Sequence, residues 1–274
     1  MFTKTIIFFS SFAKSIIKNK SLIMALSERE IKGRYKGSYL GFMWAIINPL
    51  LLLLVYTFVF SVVFKARWGG GVGEGKLDFA LVMFVGIAIH GMLAESLNRS
   101  TGLILNNPNY VKKIVFPLEI LPLVNAIAAF AHTLIALAAL LIVYLFTKTY
   151  IHSTVIFIPF VLLPLFFYCI AFGYILSSLG VFIRDISQGI GFVSTALLFL
   201  SPVFYPVSSL PEYYQEWMNL NPLTLIIEQS RELIIMGNSP DWSAITKAYC
   251  FSLLACSLGY IWFQKTRKGF ADVI

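Results

Sequence analysis

The chain has 274 residues, of which 58% are hydrophobic and only 12% charged, with a mean hydropathy of +0.82. A soluble domain carries about 25% charged residues, so the composition excludes one and implies an integral membrane protein. The net charge of +8 does not point to nucleic acid, because the cations gather at the edges of apolar runs, as the positive-inside rule expects.

Residues 1–20 place Phe9, Phe12, Ile16 and Ile17 near helical spacing with lysines between them. The apolar part is too short, and too poor in cleavage signals, for a secretory signal peptide. It reads as an amphipathic helix on the inner membrane surface, with a partly disordered N-terminus as the alternative. Next, the charged residues Glu28, Arg29, Glu30, Lys32, Arg34 and Lys36 pass into an apolar run without charge until Lys65. This boundary orients everything that follows: the basic side should stay cytoplasmic.

Six spans of about 20 apolar residues or more are expected, at residues 41–64, 77–97, 118–146, 153–182, 186–205 and 243–263. Pro49 lies in the first and leaves the Ala45 carbonyl without its helical donor, so a kink is expected there. The glycine-rich stretch after this span, Gly70 to Leu77, copies the Gly-x4-Gly-Lys part of a P-loop. Leu77 stands where Ser or Thr must bind Mg²⁺, and no strand precedes it, so a flexible loop is the better reading. With six spans both basic termini fall in the cytoplasm, and cytoplasmic segments then hold fifteen of the 21 Lys and Arg.

The expected fold is all-α: a single transmembrane domain over residues 1–274, with residues 1–40 as a cytoplasmic amphipathic segment. Short re-entrant or gate helices are expected between spans five and six. The non-spanning pieces are about 40 residues at most, too short for a separate soluble domain. The outer connection at residues 206–242 is rich in proline and aromatics near Pro202, Pro206, Tyr213, Tyr214 and Trp217. It then carries a short amphipathic helix at residues 223–236, with Leu223, Ile226, Ile227, Leu233 and Ile234 on one face and Glu228, Arg231 and Glu232 on the other. Such a helix can form an outer gate or merely cap the bundle.

Aromatics make up 16% of the chain. Those at the bilayer edges suit anchoring. Tyr56, Tyr168, Phe172, Tyr174, Phe199, Phe204 and Tyr205 lie within spans or near their outer ends, where aromatic faces could form a greasy path for sugar rings or simply pack against lipid and core. His90, Glu95 and His132 are ionisable groups deep in apolar spans. They suit a polar path, a proton relay, or hydrogen bonding between helices. Cys169, Cys250 and Cys256 all fall in apolar runs, give no disulfide framework and have no metal spacing. No catalytic constellation and no cofactor site is evident.

Several segments resemble ABC-2 type permeases that export bacterial polysaccharides: residues 27–44 with Asn48-Pro49-Leu50, residues 112–122, Gly180-Val-Phe-Ile-Arg-Asp185, Ser201-Pro-Val-Phe-Tyr-Pro206 and Asn221-Pro-Leu-Thr224. The resemblance implies a homodimer in the bacterial cytoplasmic (inner) membrane, working with two copies of a separate ATP-binding subunit that holds ATP and Mg²⁺. The cargo would be a lipid-linked polysaccharide, O-antigen first, with capsular polysaccharide or teichoic acid as alternatives. It also implies coupling contacts to the ATPase from Glu28, Arg29, Glu30, Lys32, Arg34 and Tyr35, from Asn107, Tyr110, Lys112 and Lys113, and from Arg184 and Asp185. The outer connection, with Pro202, Pro206, Tyr213, Tyr214, Trp217, Glu228 and Arg231, would be the periplasmic gate. From another class, a proton-coupled secondary transporter using His90, Glu95 and His132 is the alternative, and a membrane scaffold without transport is the weakest.

Overall fold

The computed structural model describes residues 15–64, 68, 76–112 and 116–274. The P-loop-like glycine stretch before Lys76, most of the expected N-terminal amphipathic helix, and Lys113 lie outside the described residues. Among the described residues the structure is helical, with no strand. Helix α1 is Lys20–Gly33, α2 is Trp44–Tyr56, α3 is Lys76–Thr101 and α4 is the short Pro108–Lys112. Helix α5 is Ile120–Lys148, α6 is Ile158–Phe182 and α7 is Ile186–Leu200. Glu212–Met218 forms α8, Pro222–Arg231 forms α9 and Trp242–Thr266 forms α10.

Five of the helical stretches are long and apolar enough to cross a membrane: those containing α2, α3, α5, α6 and α10. Of the expected fifth span, residues 186–205, helix covers Ile186–Leu200. Its helix stops at Leu200, because Ser201 precedes Pro202 and adopts an extended conformation with φ −104° and ψ 157°. Proline's ring disfavours the helical region for the residue before it. At 15 residues, α7 is about 22 Å long, against a hydrocarbon core of about 30 Å. The last span is longer than expected: the helix continues through Gln264 and Lys265 to Thr266, so the start of the presumed tail is helical.

Helix α2 widens into a π-helix at Thr57–Val63. There the Thr57 hydroxyl donates to the Leu53 carbonyl at 2.7 Å and the Phe64 amide donates to Val59, five residues back. A side chain inserted into the carbonyl ladder loosens the turn in this way.

The core of the bundle is mostly Leu, Ile, Val and aromatic side chains, and at a few points glycines let the helices approach closely. A Cβ on Gly180 of α6 would clash with the Thr101 carbonyl of α3, and one on Gly259 of α10 would sit 2.6 Å from the Ala171 carbonyl of α6. Asn125 of α5 donates to the Ser96 carbonyl and the Ser100 hydroxyl of α3, both at 3.1 Å. These groups are buried and their donors are satisfied, which offsets part of the cost of placing them in an apolar bundle, while the Asn125 Oδ1 is buried without a partner.

The two ends of the bundle are pinned by ion pairs. Lys148 at the end of α5 binds Asp78 at the start of α3 at 2.8 Å. At the other end Glu119 binds Arg267, just after α10, at 2.9 Å and accepts from the Ser15 hydroxyl at 3.1 Å. Both ends of the described chain therefore meet at the same end of the bundle. Cys169 and Cys256 are buried and Cys250 is exposed, all as free thiols.

Candidate functional site

The first candidate site is at the Glu119 end, where α1 packs across α5. Helix α1 buries Ile23, Leu26 and Ser27 against the bundle and leaves its charged residues free to reach sideways. Glu30 pairs with Arg99 at the end of α3. Arg34, just past α1, donates to Glu95 of α3 at 2.8 Å. Glu95 also accepts from Arg99 at 3.3 Å and lies 3.1 Å from Nδ1 of His132 on α5. One carboxylate thus joins three separate elements.

His132 is a point of conflict within this cluster. Its Nδ1 lies 2.9 Å from the Arg34 guanidinium, which can only donate, and 3.1 Å from the Glu95 carboxylate, which can only accept. One ring nitrogen satisfies one of these at a time. Its other nitrogen, Nε2, is buried without a partner. Tyr35 packs edge-on to the same ring, centroids 6.0 Å apart, and burial raises its phenol above the ordinary tyrosine value. His90, the third ionisable group singled out in the sequence, is elsewhere, 3.0 Å from the Ser194 carbonyl of α7.

The remaining expected coupling residues surround this cluster. Glu28 and Lys32 pair with each other on the exposed face of α1, and the Lys32 ammonium holds the Glu28 carboxyl below the usual range. Arg29 reaches the Tyr110 hydroxyl at 3.4 Å, linking α1 to α4. Tyr110 stacks on Phe116 at 4.2 Å, and the Asn107 side chain donates to the Leu103 carbonyl at 2.9 Å. Lys112 is exposed at the end of α4, and Arg184 and Asp185 are exposed where α7 begins. Arg99 was not among the expected coupling residues, although its position one helical turn after Glu95 was available in the sequence.

The second candidate site is at the opposite end and centres on Arg231. The amphipathic pattern placed Arg231 on the face opposite the apolar residues; in the structure that side chain is buried, 3% exposed. Its Nε donates to the Val82 carbonyl at 3.0 Å, and Nη1 and Nη2 donate to the carbonyls of Pro202 at 2.6 Å and Val203 at 2.9 Å. Glu228 adds a carboxylate at 3.3 Å, and the guanidinium lies 4.3 Å over the Trp68 ring. The physical reason is the turn at Ser201–Pro202. It leaves carbonyls without helical donors, and the planar fork of arginine supplies them. Burial lowers Arg231 to about 10, with Glu228 opposing the shift, so it stays cationic at neutral pH. Burial likewise raises the carboxyl of Glu228, with Arg231 opposing.

Beside Arg231 the aromatics form a chain. Tyr56, Phe60, Phe204 and Phe199 follow one another at centroid distances of 6.2, 5.7 and 5.6 Å, and Phe79 and Trp68 extend it from Phe60. Tyr205 donates to the Phe199 carbonyl at 2.9 Å. Phe60 and Phe79 were not singled out in the sequence; the four-residue spacing Tyr56–Phe60–Phe64 is a signal that could have found Phe60, and none marks Phe79. Tyr168 and Phe172 stack on each other on α6 at 6.3 Å, apart from this chain. Tyr174 is enclosed in the core and donates to the Glu119 carbonyl at 2.9 Å. On α8, Tyr213, Tyr214 and Trp217 are more than half exposed and touch only one another among the ring contacts of the described residues. Pro206 precedes the short turn of helix that leads to them. Among the described residues no cluster of His, Cys, Asp and Glu could hold a metal ion.

Comparison with known proteins bears on both sites. Residues 21–235 match the profile of the ABC-2 type transporter family. An O-antigen export system permease protein, RfbA, of Myxococcus xanthus is 25% identical over 268 residues, covering 95% of this chain and 98% of that protein. The RfbA protein of Klebsiella pneumoniae is 24% identical, covering 92% and 95%. The polysialic acid transport protein KpsM of Escherichia coli is 22% identical, covering 91% and 95%.

Proposed function

The chain belongs to the ABC-2 type transporter family, and from that premise we propose that it is the permease subunit of an ATP-driven exporter of a lipid-linked polysaccharide. O-antigen is the preferred cargo, supported by the similarity to O-antigen export permeases along nearly the whole chain. A capsular polysaccharide is the second reading, supported by the similarity to the polysialic acid transport protein. ATP and Mg²⁺ are assigned to a separate partner, two copies of which would serve two copies of this chain in the bacterial inner membrane.

The observation that carries this reading is the Glu95 cluster. A helix lying across the end of the bundle is joined by ion pairs to two long helices, through Arg34–Glu95 and Glu30–Arg99. A push on α1 from a partner is thereby delivered to α3 and, through His132, to α5. We read α1 as the helix that receives the ATPase, with Tyr110, Lys112, Arg184 and Asp185 beside it, and this end as cytoplasmic. In that reading α7 and the turn after it make the sixth crossing. The α8–α9 segment is the re-entrant outer gate, and Tyr56, Phe199 and Phe204 mark the glycan path.

The test is co-purification of the full chain with its partner ATPase from detergent, with glycan export measured in the same cells. Glu28 and Lys32 are exposed enough to be reversed together (Glu28→Lys with Lys32→Glu) without unfolding α1. Loss of the ATPase and of export in this variant is the expected result. A chain that purifies without any ATPase, and whose transport collapses with the proton gradient, would sink the exporter reading.

A further inference from the structure

Between α1 and the turn that follows it lies a groove of about 950 Å³. Its floor is apolar, with Met24, Ile31 and Phe42 among the lining residues, and Arg29 and Lys36 are among its cations. Phe42 sits in the short 3₁₀ turn that opens directly into α2, the first long apolar helix. The groove therefore belongs to the depth at which headgroups give way to acyl chains.

The charges around it do not cancel. Glu28 is paired with Lys32, Glu30 with Arg99, and Glu95 with Arg34. Arg29 has only the neutral Tyr110 hydroxyl, and that at 3.4 Å. Among the described residues, neither Arg29 nor Lys36 has an ion-pair partner. Two uncompensated cations lining an apolar groove at a membrane edge match an anion that carries a hydrocarbon tail.

We propose that this groove binds an anionic membrane phospholipid, with its phosphate held by Arg29 and Lys36 and an acyl chain laid along Met24, Ile31 and Phe42. Arginine recognises phosphate by paired hydrogen bonds and lysine by charge. A lipid there fills the space under α1 and steadies the helix whose ion pairs reach Glu95 and Arg99. The site takes no position on which glycan is exported.

The experiment is native mass spectrometry of the full chain in detergent, titrated with phosphatidylglycerol and with phosphatidylcholine of the same acyl chains. Glycerol phosphate is the competitor that represents the headgroup alone. Wild type and a control pair on the exposed tail, Lys265→Gln with Lys268→Gln, should prefer phosphatidylglycerol by about tenfold. Arg29→Gln with Lys36→Gln should abolish the preference, whereas Met24→Gln should weaken both lipids and keep the ratio. Equal affinity for the two lipids, or an unchanged preference in the Arg29/Lys36 variant, would overturn the proposal. So would glycerol phosphate displacing phosphatidylglycerol at matched concentration, which would make this a site for free phosphate. Displacement of the lipid by the purified partner ATPase would also overturn it, by showing that the groove is a protein seat.

Discussion

Arg34 and Glu95 are 61 positions apart in the chain and 2.8 Å apart in the fold. The bond joins a segment too polar for lipid to the last two turns of the protein's second long apolar helix. Because Glu95 also meets Arg99 and His132, removing one carboxylate should free three elements at once. Glu95→Gln is expected to lower stability by about 1–2 kcal/mol, since Arg34 is half-exposed and part of the interaction is screened. The melting temperature in detergent measures this. In the assembled transporter the same change should reduce export more than ATP hydrolysis, because one of the two ion-pair links from α1 to α3 is lost and only Glu30–Arg99 remains; parallel loss of both activities would contradict that role.

Arg231→Met should be far more costly. It leaves the turn carbonyls of Pro202 and Val203 buried without donors and removes an extra donor from the Val82 carbonyl, a loss of roughly 3 kcal/mol or more. Arg231→Lys keeps the charge but cannot supply three diverging donors, so it should recover only part of the loss. Thermal unfolding checks both. An unchanged melting temperature in the methionine variant would show that these carbonyls do not depend on Arg231.

Gly180→Ala and Gly259→Ala each put a methyl group against a neighbouring helix's backbone, and each should cost about 1–3 kcal/mol. Gly189→Ala in α7 is the control, since its added Cβ meets nothing within 4 Å. There the gain in helix propensity should stabilise by about 0.5–1 kcal/mol. Melting temperatures of the three variants would rank them.

Glu228 sets a pH dependence. Burial raises its folded pKa above the ordinary value of 4.5, and Arg231 only partly offsets this. A carboxyl with a raised folded pKa contributes stability that is fully present below its unfolded pKa and is lost as pH rises through the folded value. Glu228→Gln should therefore flatten the fall in melting temperature that wild type shows just above pH 4.5. An identical pH profile in the variant would show that Glu228 does not cause it.

Tyr213 and Trp217 are exposed and make their ring contacts with each other on α8. Replacing both with Ala should change stability by no more than about 0.5 kcal/mol while lowering glycan export. Export at wild-type level would remove α8 from the gate.

The membrane character, the long helices and the boundary near residue 36 were legible in the sequence, because hydropathy and charge are local properties. So was the polar pairing inside the bundle: Glu95 and His132, too costly to leave alone in lipid, do find each other. The end of α7 at Leu200 was available from Ser201–Pro202 and was overridden by the apolar run that continues to Tyr205. The burial of Arg231 was not legible. Helical periodicity assigns faces but does not say which face meets water, and here a broken turn from elsewhere in the chain supplies the acceptors. Phe60 and Phe79 were missed for a related reason: the fold, not local spacing, stacks Phe60 on Phe204 across more than a hundred residues and sets Phe79 against Phe60.

The glycine contacts divide the protomer mechanically. At Gly180 and Gly259, α3, α6 and α10 touch backbone to backbone, so these three helices form a spine that cannot part without losing its packing. Helices α2 and α7 leave most of their apolar side chains uncovered. In the proposed exporter the glycan would pass along this outer pair, and opening would slide α2 and α7 over the spine. Chemical cross-links placed across α2 or α7 would stall such a machine, whereas links within the spine would leave it running.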